Sequence, residues 1–461
     1  MRRRWCDDCF THILLLLAFI IRAGESFWLS PHCSSLLCFY QDNRVQIKRN
    51  PPSFCSVSLL GSHNTESAPL TSALLKVSFD GRRFTGWSAS NDPKPGDPNY
   101  AAFSKTERRQ GRRRRGSMDP PIRSYDNKGF VRSVQGVLRG HLAKLYGDVD
   151  PQQIVVEGCS RTDKGVHARS MMVMIYGLDA EVLRRLQTSA TATASDGIGN
   201  CTLVADNSLA GTISGMHRPH PRNATDSTSF LSVPKDLSKV AFAMNRMLPP
   251  DIRISGIAPI PNVEHGVFHP SLSTVSKTYV YTFSIGTRGN IPDPTSRRWV
   301  WHIPASSTQH QPLDLGRMQE ACSIIQGTHD FSSFQGAPRG ATDRLRREEA
   351  AVDSGICTVC SISVRELPRE NLVPNVSPPI STQYEVKIVG DRFLYKMVRF
   401  LVGAIVDIGL NTNDSYDLHA LAKLLQQPDQ ESPFSTCAPA HGLVLHSVDY
   451  GLNIDWQPLR N

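Results

Sequence analysis

Two hydrophobic periods run through this chain without settling into strict alternation, and that order limits the folds open to it. Leu74–Phe79 alternates as a half-buried strand does, and Tyr279, Tyr281, Phe283 and Ile285 share one face of another. Val134, Val137, Leu138, Leu142 and Leu145 fall at helical spacing. So do Leu237, Val240, Ala241, Met244 and Met247, with Pro249-Pro250 ending that helix. Further strands are expected near Ile154–Glu157, Met171–Tyr176, Cys357–Val364, Tyr384–Val389 and Leu443–Val448. Further helices are expected near Leu315–Gln326, Phe393–Ile408 and Tyr416–Gln427. Strands and helices mix without a repeating βαβ order, so the class is α+β. With 461 residues, 40% of them hydrophobic, there is material for a sizeable core and two or three domains.

Four stretches interrupt the pattern. Residues 88–129 carry Pro, Gly and Asn and then Arg108-Arg109 and Arg112–Arg115, a composition that cannot bury a core. Two readings of that arginine run stand side by side: a contact for RNA phosphates, or a solvated basic tail. Residues 187–232 are rich in Ser, Thr, Ala and Asn and read as a second flexible insertion. Residues 336–354 are charged, and Pro368–Pro379 is rich in Pro and Asn. The net charge of +9 fits a polyanionic partner, although much of the excess lies in these stretches. Five of the eleven cysteines precede residue 60 and the rest show no disulfide-like spacing, so they read as mostly reduced thiols. Cys357 and Cys360 sit three apart in a β-branched run, which points them to opposite faces and argues against a structural zinc site.

Residues 1–70 read as a targeting presequence. Arg2-Arg3-Arg4 is a basic leader to Ile13–Ile21, a nine-residue apolar run too short to span a bilayer. Gly24 and Ser26 suit cleavage before Phe27, and the Ser-rich, acid-poor segment that follows is of transit type. Signal plus transit segment resembles the bipartite presequence of complex algal plastids. A plastid is therefore expected, with the mitochondrion as the alternative and no stable membrane association after processing.

The chemistry concentrates at Gly158–Ala168. Asp163 stands two residues after Arg161 and two before Gly165, just ahead of the apolar run Met171–Tyr176. A carboxylate on a strand-proximal turn beside a guanidinium stays ionised and aims outward, as a nucleophile or base needs. Asp-x-Gly is also an ordinary turn, in which Asp bonds its own backbone. Arg399 lies among Met397, Val398, Leu401, Val402, Ile405 and Val406, where a guanidinium is costly unless paired. Tyr279 suits any half-buried strand. His167, as a lone histidine, reads as a hydrogen-bonded scaffold residue rather than a catalytic one.

The full string Arg161-Thr162-Asp163-Lys164-Gly165-Val166-His167-Ala168 resembles the catalytic motif of the TruA-type tRNA pseudouridine synthases. Further blocks resemble that family in order from about residue 74 to 450. They include Phe79-Asp80-Gly81 through Gly86-Trp87, Asn245 through Leu248-Pro249-Pro250-Asp251-Ile252, and Phe268-His269. Ser276-Lys277-Thr278-Tyr279, Gly327 through Phe334, Phe393 through Gly403, and Ala438 through Leu443 complete the set. The resemblance implies two RNA-recognition-like α/β halves, about 71–262 and 263–455, forming a mixed, mainly antiparallel sheet around a central cleft. It implies tRNA as partner and the isomerisation of uridine to pseudouridine in the anticodon arm, just 3′ of the anticodon. Asp163 becomes the nucleophile, Arg399 its ion-pair partner and Tyr279 the residue stacked on the target uracil. Arg161 and Lys277 become RNA contacts. The reaction has no redox step, so no cofactor and no metal are expected. Homodimers occur among relatives, but no dimer surface is legible in the sequence.

Departures from the family pattern are Phe79 for a tyrosine, Ser88 for a glutamine, Pro270-Ser271 for Ala-Arg, and Ser160 for a glycine. None removes Asp163, Tyr279 or Arg399. A non-catalytic RNA-binding or tRNA-folding protein on the same scaffold is the competing reading, with a synthase for another RNA site as a third. Retention of Asp163 argues against the first of these, because an unused nucleophile would be free to drift.

Overall fold

The long strand that begins at His167 organises the sheet. The computed structural model describes residues 70–88, 133–185, 230–263, 267–286, 296–304, 313–336, 355–368, 381–411, 417–428 and 436–459. The segment read as a targeting presequence, up to residue 69, and most of the four interrupting stretches lie outside the described residues. Within them, β3 (His167–Leu178) is buried at every position from Ser170 to Leu178, as a near-continuous apolar run in a central strand should be. β1 (Ser72–Phe79) pairs antiparallel along one edge of β3, and β5 (Ile252–Ala258) pairs on the outer edge of β1. β2 (Ile154–Gly158) pairs antiparallel with residues 173–177 of β3. β4 (Phe230–Leu231) pairs with Gly177 and Leu178.

The second group is built on β6 (Ser276–Gly286). β10 (Ser381–Gly390) pairs with it antiparallel, β9 (Ile356–Glu366) pairs with β10, and β8 (Gly327–Asp330) pairs with β9. β7 (Trp301–Ile303) runs parallel to β6. β11 (Leu443–Asp449) lies between the groups. It is antiparallel to β6 and parallel to β3 at two positions, Val444 with His167 and Leu445 with Ala168. Among the described residues the result is one eleven-stranded sheet in the order β5-β1-β3-β11-β6-β10-β9-β8, with β2, β4 and β7 off this path, mixed but mainly antiparallel, as the family resemblance implies.

Among the described residues the sheet is accompanied by helices α1 (Val134–Leu145), α2 (Leu237–Met247), α3 (Leu315–Ile325), α4 (Met397–Leu410) and α5 (Leu418–Gln426). Four start at a side-chain cap. Ser133, Asp236, Asp314 and Asp417 accept from the backbone N–H of Gly136, Lys239, Arg317 and Ala420, contacts worth about 1 kcal/mol each. α4 has no such cap and is buried almost all round, so packing holds it rather than its termini.

Several expectations need correction. The helix expected from Phe393 begins at Met397, because Lys396 takes the left-handed conformation at φ 61° and breaks the helical path. Phe230 and Leu231, inside the stretch read as flexible insertion, form β4. β5, β7 and β8 were not foreseen. β8 (Gly-Thr-His-Asp) contains no aliphatic residue, and its evidence lies in backbone pairing with β9. Cys357 is buried and Cys360 exposed on β9, both free. Among the described residues no group of His, Cys, Asp and Glu is placed to hold a metal ion, and no helix is long and apolar enough to cross a membrane.

Candidate active site

The loop between β2 and β3 presents Asp163, and backbone contacts fix its path. Val166 N–H donates to Asp163 O at 3.1 Å, with Gly165 at φ 87°. Asp163-Lys164-Gly165-Val166 is therefore the turn its sequence suggests. The loop that follows β1 lies directly against it. Gly165 N–H donates to Gly81 O at 3.3 Å, and Trp87 N–H to Thr162 O at 3.0 Å. A Cβ on Gly81 would stand 1.8 Å from Val166 O, so this approach requires glycine.

His167 closes the same junction. Its Nε2 lies 3.1 Å from His441 O, an atom that only accepts, so Nε2 carries a proton. Its Nδ1 lies 3.2 Å from both Gly81 N and Asp80 Oδ1. Asp80 also accepts from Arg82 through backbone N–H and guanidinium. Burial alone would raise the Asp80 pKa. The contact with His167 and the hydrogen bonds from Arg82 outweigh it and hold the carboxyl well below the usual carboxylate range. His167 is thus a scaffold residue, as its sequence context suggests.

Arg399 reaches the site from the first turn of α4. Its Nη1 donates to Asp163 Oδ2 at 3.0 Å and its Nε donates to Ala438 O at 2.7 Å. Ala438 N–H donates back to Arg399 O at 3.1 Å, which ties the 436–442 segment to the helix. The two charged side chains are 14% and 19% exposed, so the ion pair is largely screened from water. The guanidinium fork serves both the carboxylate and a backbone carbonyl, the satisfied state that a half-buried arginine needs.

Tyr279 stands on β6 with 7% of its surface exposed. Its OH is 2.9 Å from Ser160 Oγ, and its ring meets Phe393 edge-on at 5.2 Å. Burial holds the phenol above its ordinary range, against the Ser160 hydrogen bond. Lys277, half-buried two residues earlier, has its pKa lowered by burial, with Cys159 and Asp391 opposing. A cavity of about 930 Å³ gathers Arg161, Asp163, Lys277, Tyr279 and Arg399 on its wall. All five residues singled out from the sequence therefore line one cleft, whose size suits a nucleotide drawn out of its helix.

Sequence reasoning missed several supporting groups. Ser160 stood out only as a departure from a family pattern, yet it is the hydroxyl partner of Tyr279. The carbonyl of Ala438 carries no side-chain signal. His269 is another: its Nδ1 accepts from the N–H groups of Ser271 and Leu272, which turns Nε2 toward Glu157 Oε2 at 3.3 Å. That approach sets the loop before β6 beside the end of β2, with no hydrogen bond between the two atoms.

A family model described as tRNA pseudouridine synthase matches residues 321–451. The tRNA pseudouridine synthase A 2 of Protochlamydia amoebophila is 32% identical over 47% of this chain and 68% of its own length. The chain belongs to the tRNA pseudouridine synthase A family. A second relative, tRNA pseudouridine synthase A of Leuconostoc citreum, is 30% identical over 48% of this chain and 71% of its own. The Bacillus pumilus protein of the same name is 29% identical over 71% of this chain and 94% of its own. By membership in the tRNA pseudouridine synthase A family, the chain is an isomerase of the pseudouridine synthase class.

Proposed function

We propose that this protein converts uridine to pseudouridine in the anticodon arm of tRNA, just 3′ of the anticodon, with Asp163 as the nucleophile. The supporting observation is the Asp163–Arg399 ion pair on the wall of a nucleotide-sized cleft. The uracil N1–C1′ bond breaks, the base turns, and C5 bonds to C1′. C5 gives up its proton and N1 gains one, so the product is an isomer and no oxidant or reductant enters. The bond to Arg399 fixes the carboxylate and balances its charge in a site of low dielectric. Tyr279 stacks on the extruded uracil, its ring braced by Phe393 and its OH by Ser160. Arg161, exposed at the mouth, helps extrude or replace the base, and Lys277 contacts the RNA deeper in. We place the mature protein in the plastid, which a reporter fused to residues 1–70 would test.

The direct test incubates the full chain with unmodified organellar tRNA transcripts and maps pseudouridine at single-nucleotide resolution. Product in the anticodon arm that vanishes in Asp163→Ala is the expected result. Product elsewhere in the tRNA would refute the assigned position. Tight tRNA binding with no product from either protein would refute the catalytic reading and favour an RNA-binding role.

A further inference from the structure

A second cavity, of about 400 Å³, adjoins the catalytic cleft; Lys164 and Ala440 line both. Arg82, paired with Asp80, and Lys164, Arg297 and Arg298 bring cations to it, and none of its described lining residues is acidic. Lys164 and Arg298 are exposed. A cluster of cations favours an anion in the cavity between them.

Trp299 adjoins this cavity and is 43% exposed. It follows Arg298 in the chain, lies with its ring 4.8 Å from the Arg82 guanidinium, and meets the ring of His167 at 4.6 Å. Arg82 is itself held by Asp80, and His167 is buried, so the indole rests on a fixed support. A large aromatic surface left open beside a cationic pocket matches what a nucleotide offers: a phosphate for the cations and a π-face for the ring. Because the indole is already positioned, little ordering cost falls on binding.

We infer that this pocket and Trp299 form a nucleotide subsite, holding the phosphate and stacked base of a residue flanking the target uridine. The inference rests on the tRNA synthase reading above. Lys164 is the natural divider: it follows the nucleophile directly and faces both cavities. A strand whose target base enters the first cavity would pass over Lys164 and place its neighbouring phosphate in the second.

The test uses the full chain, an unmodified tRNA transcript, and the variants Arg298→Ala, Trp299→Ala and Trp299→Phe. Kd is measured across salt from about 50 to about 200 mM, and kcat and KM alongside. Arg298→Ala should raise Kd and flatten the slope of log Kd against log salt by roughly 0.7–0.9, the loss of one phosphate contact. Trp299→Ala should raise KM about tenfold with kcat within about twofold, as the loss of one stacked base predicts, and Trp299→Phe should restore most of it. An unchanged Kd and slope in Arg298→Ala would overturn the phosphate assignment. A fall in kcat at unchanged KM in Trp299→Ala would overturn the stacking assignment and reduce Trp299 to packing on His167. Absence of pseudouridine from the unaltered protein would defeat the synthase reading instead, and the Kd measurements would still judge the subsite.

Discussion

On the β3 side of the cleft, Asp163 sits on a loop held by backbone against backbone: Gly81 against Val166, Gly165 against Gly81, Trp87 against Thr162. On the β6 side, Tyr279 and Arg399 stand on a strand and a helix, held by side-chain packing and hydrogen bonds. The two constructions should fail differently. Backbone contact leaves no room for adjustment, whereas packed side chains lose function by degrees.

The sharpest way to break this comparison is Gly81→Ala. The added Cβ meets Val166 O at 1.8 Å, so the two loops must separate. A loss of about 4 kcal/mol or more in urea unfolding is expected, with activity abolished. Gly140→Ala in α1, where nothing lies within 4 Å, serves as the control and should gain about 0.5–1 kcal/mol. A Gly81→Ala protein of ordinary stability would show that the loops can part without cost.

Arg399→Lys probes the other side. Lysine keeps the charge but lacks a fork that reaches both Asp163 and Ala438 O. Single-turnover assays should show kcat/KM lower by about 100-fold, or ~2.7 kcal/mol of transition-state stabilisation. The melting temperature should move by only a few degrees. A fully active variant would mean that charge alone orients Asp163.

The smallest effect is expected at Lys396, where φ is 61° in a residue with a Cβ. Lys396→Gly should relieve that conformation and stabilise the fold by about 0.5–1 kcal/mol, readable in the urea midpoint. Destabilisation would instead assign the Lys396 side chain, which lies over the Tyr395 ring, a larger structural share.

The same contrast explains what could be read in advance. Central strands and capped helices announce themselves by pattern, so β3 fell on its apolar run, β6 on its alternation, and α1 and α2 where helical spacing put them. β8 has no apolar period, and β5 is an edge strand with exposed Arg253 and Ser255 and an internal Gly256. The start of α4 was misplaced by four residues because Phe393 and Leu394 continue an apolar run, while Lys396 gives no hint of a left-handed turn. At the site, ionisable and aromatic side chains were legible by residue type. The Ala438 carbonyl and the contact between Gly81 and Val166 were not, since main-chain groups have the same chemistry at every position.

β11 gives the cleft a timetable. It is the strand that joins β3 to β6, and apart from Leu443, its own first residue, every described residue lining the larger cavity leaves the ribosome before it. At about 5–20 residues per second of synthesis, the nascent chain spends many seconds with Asp163 and Tyr279 already made but no strand to join their sheets. Asp163 is therefore made early, and the strand that joins its part of the sheet to that of Tyr279 comes last, when Val444 and Leu445 pair with His167 and Ala168.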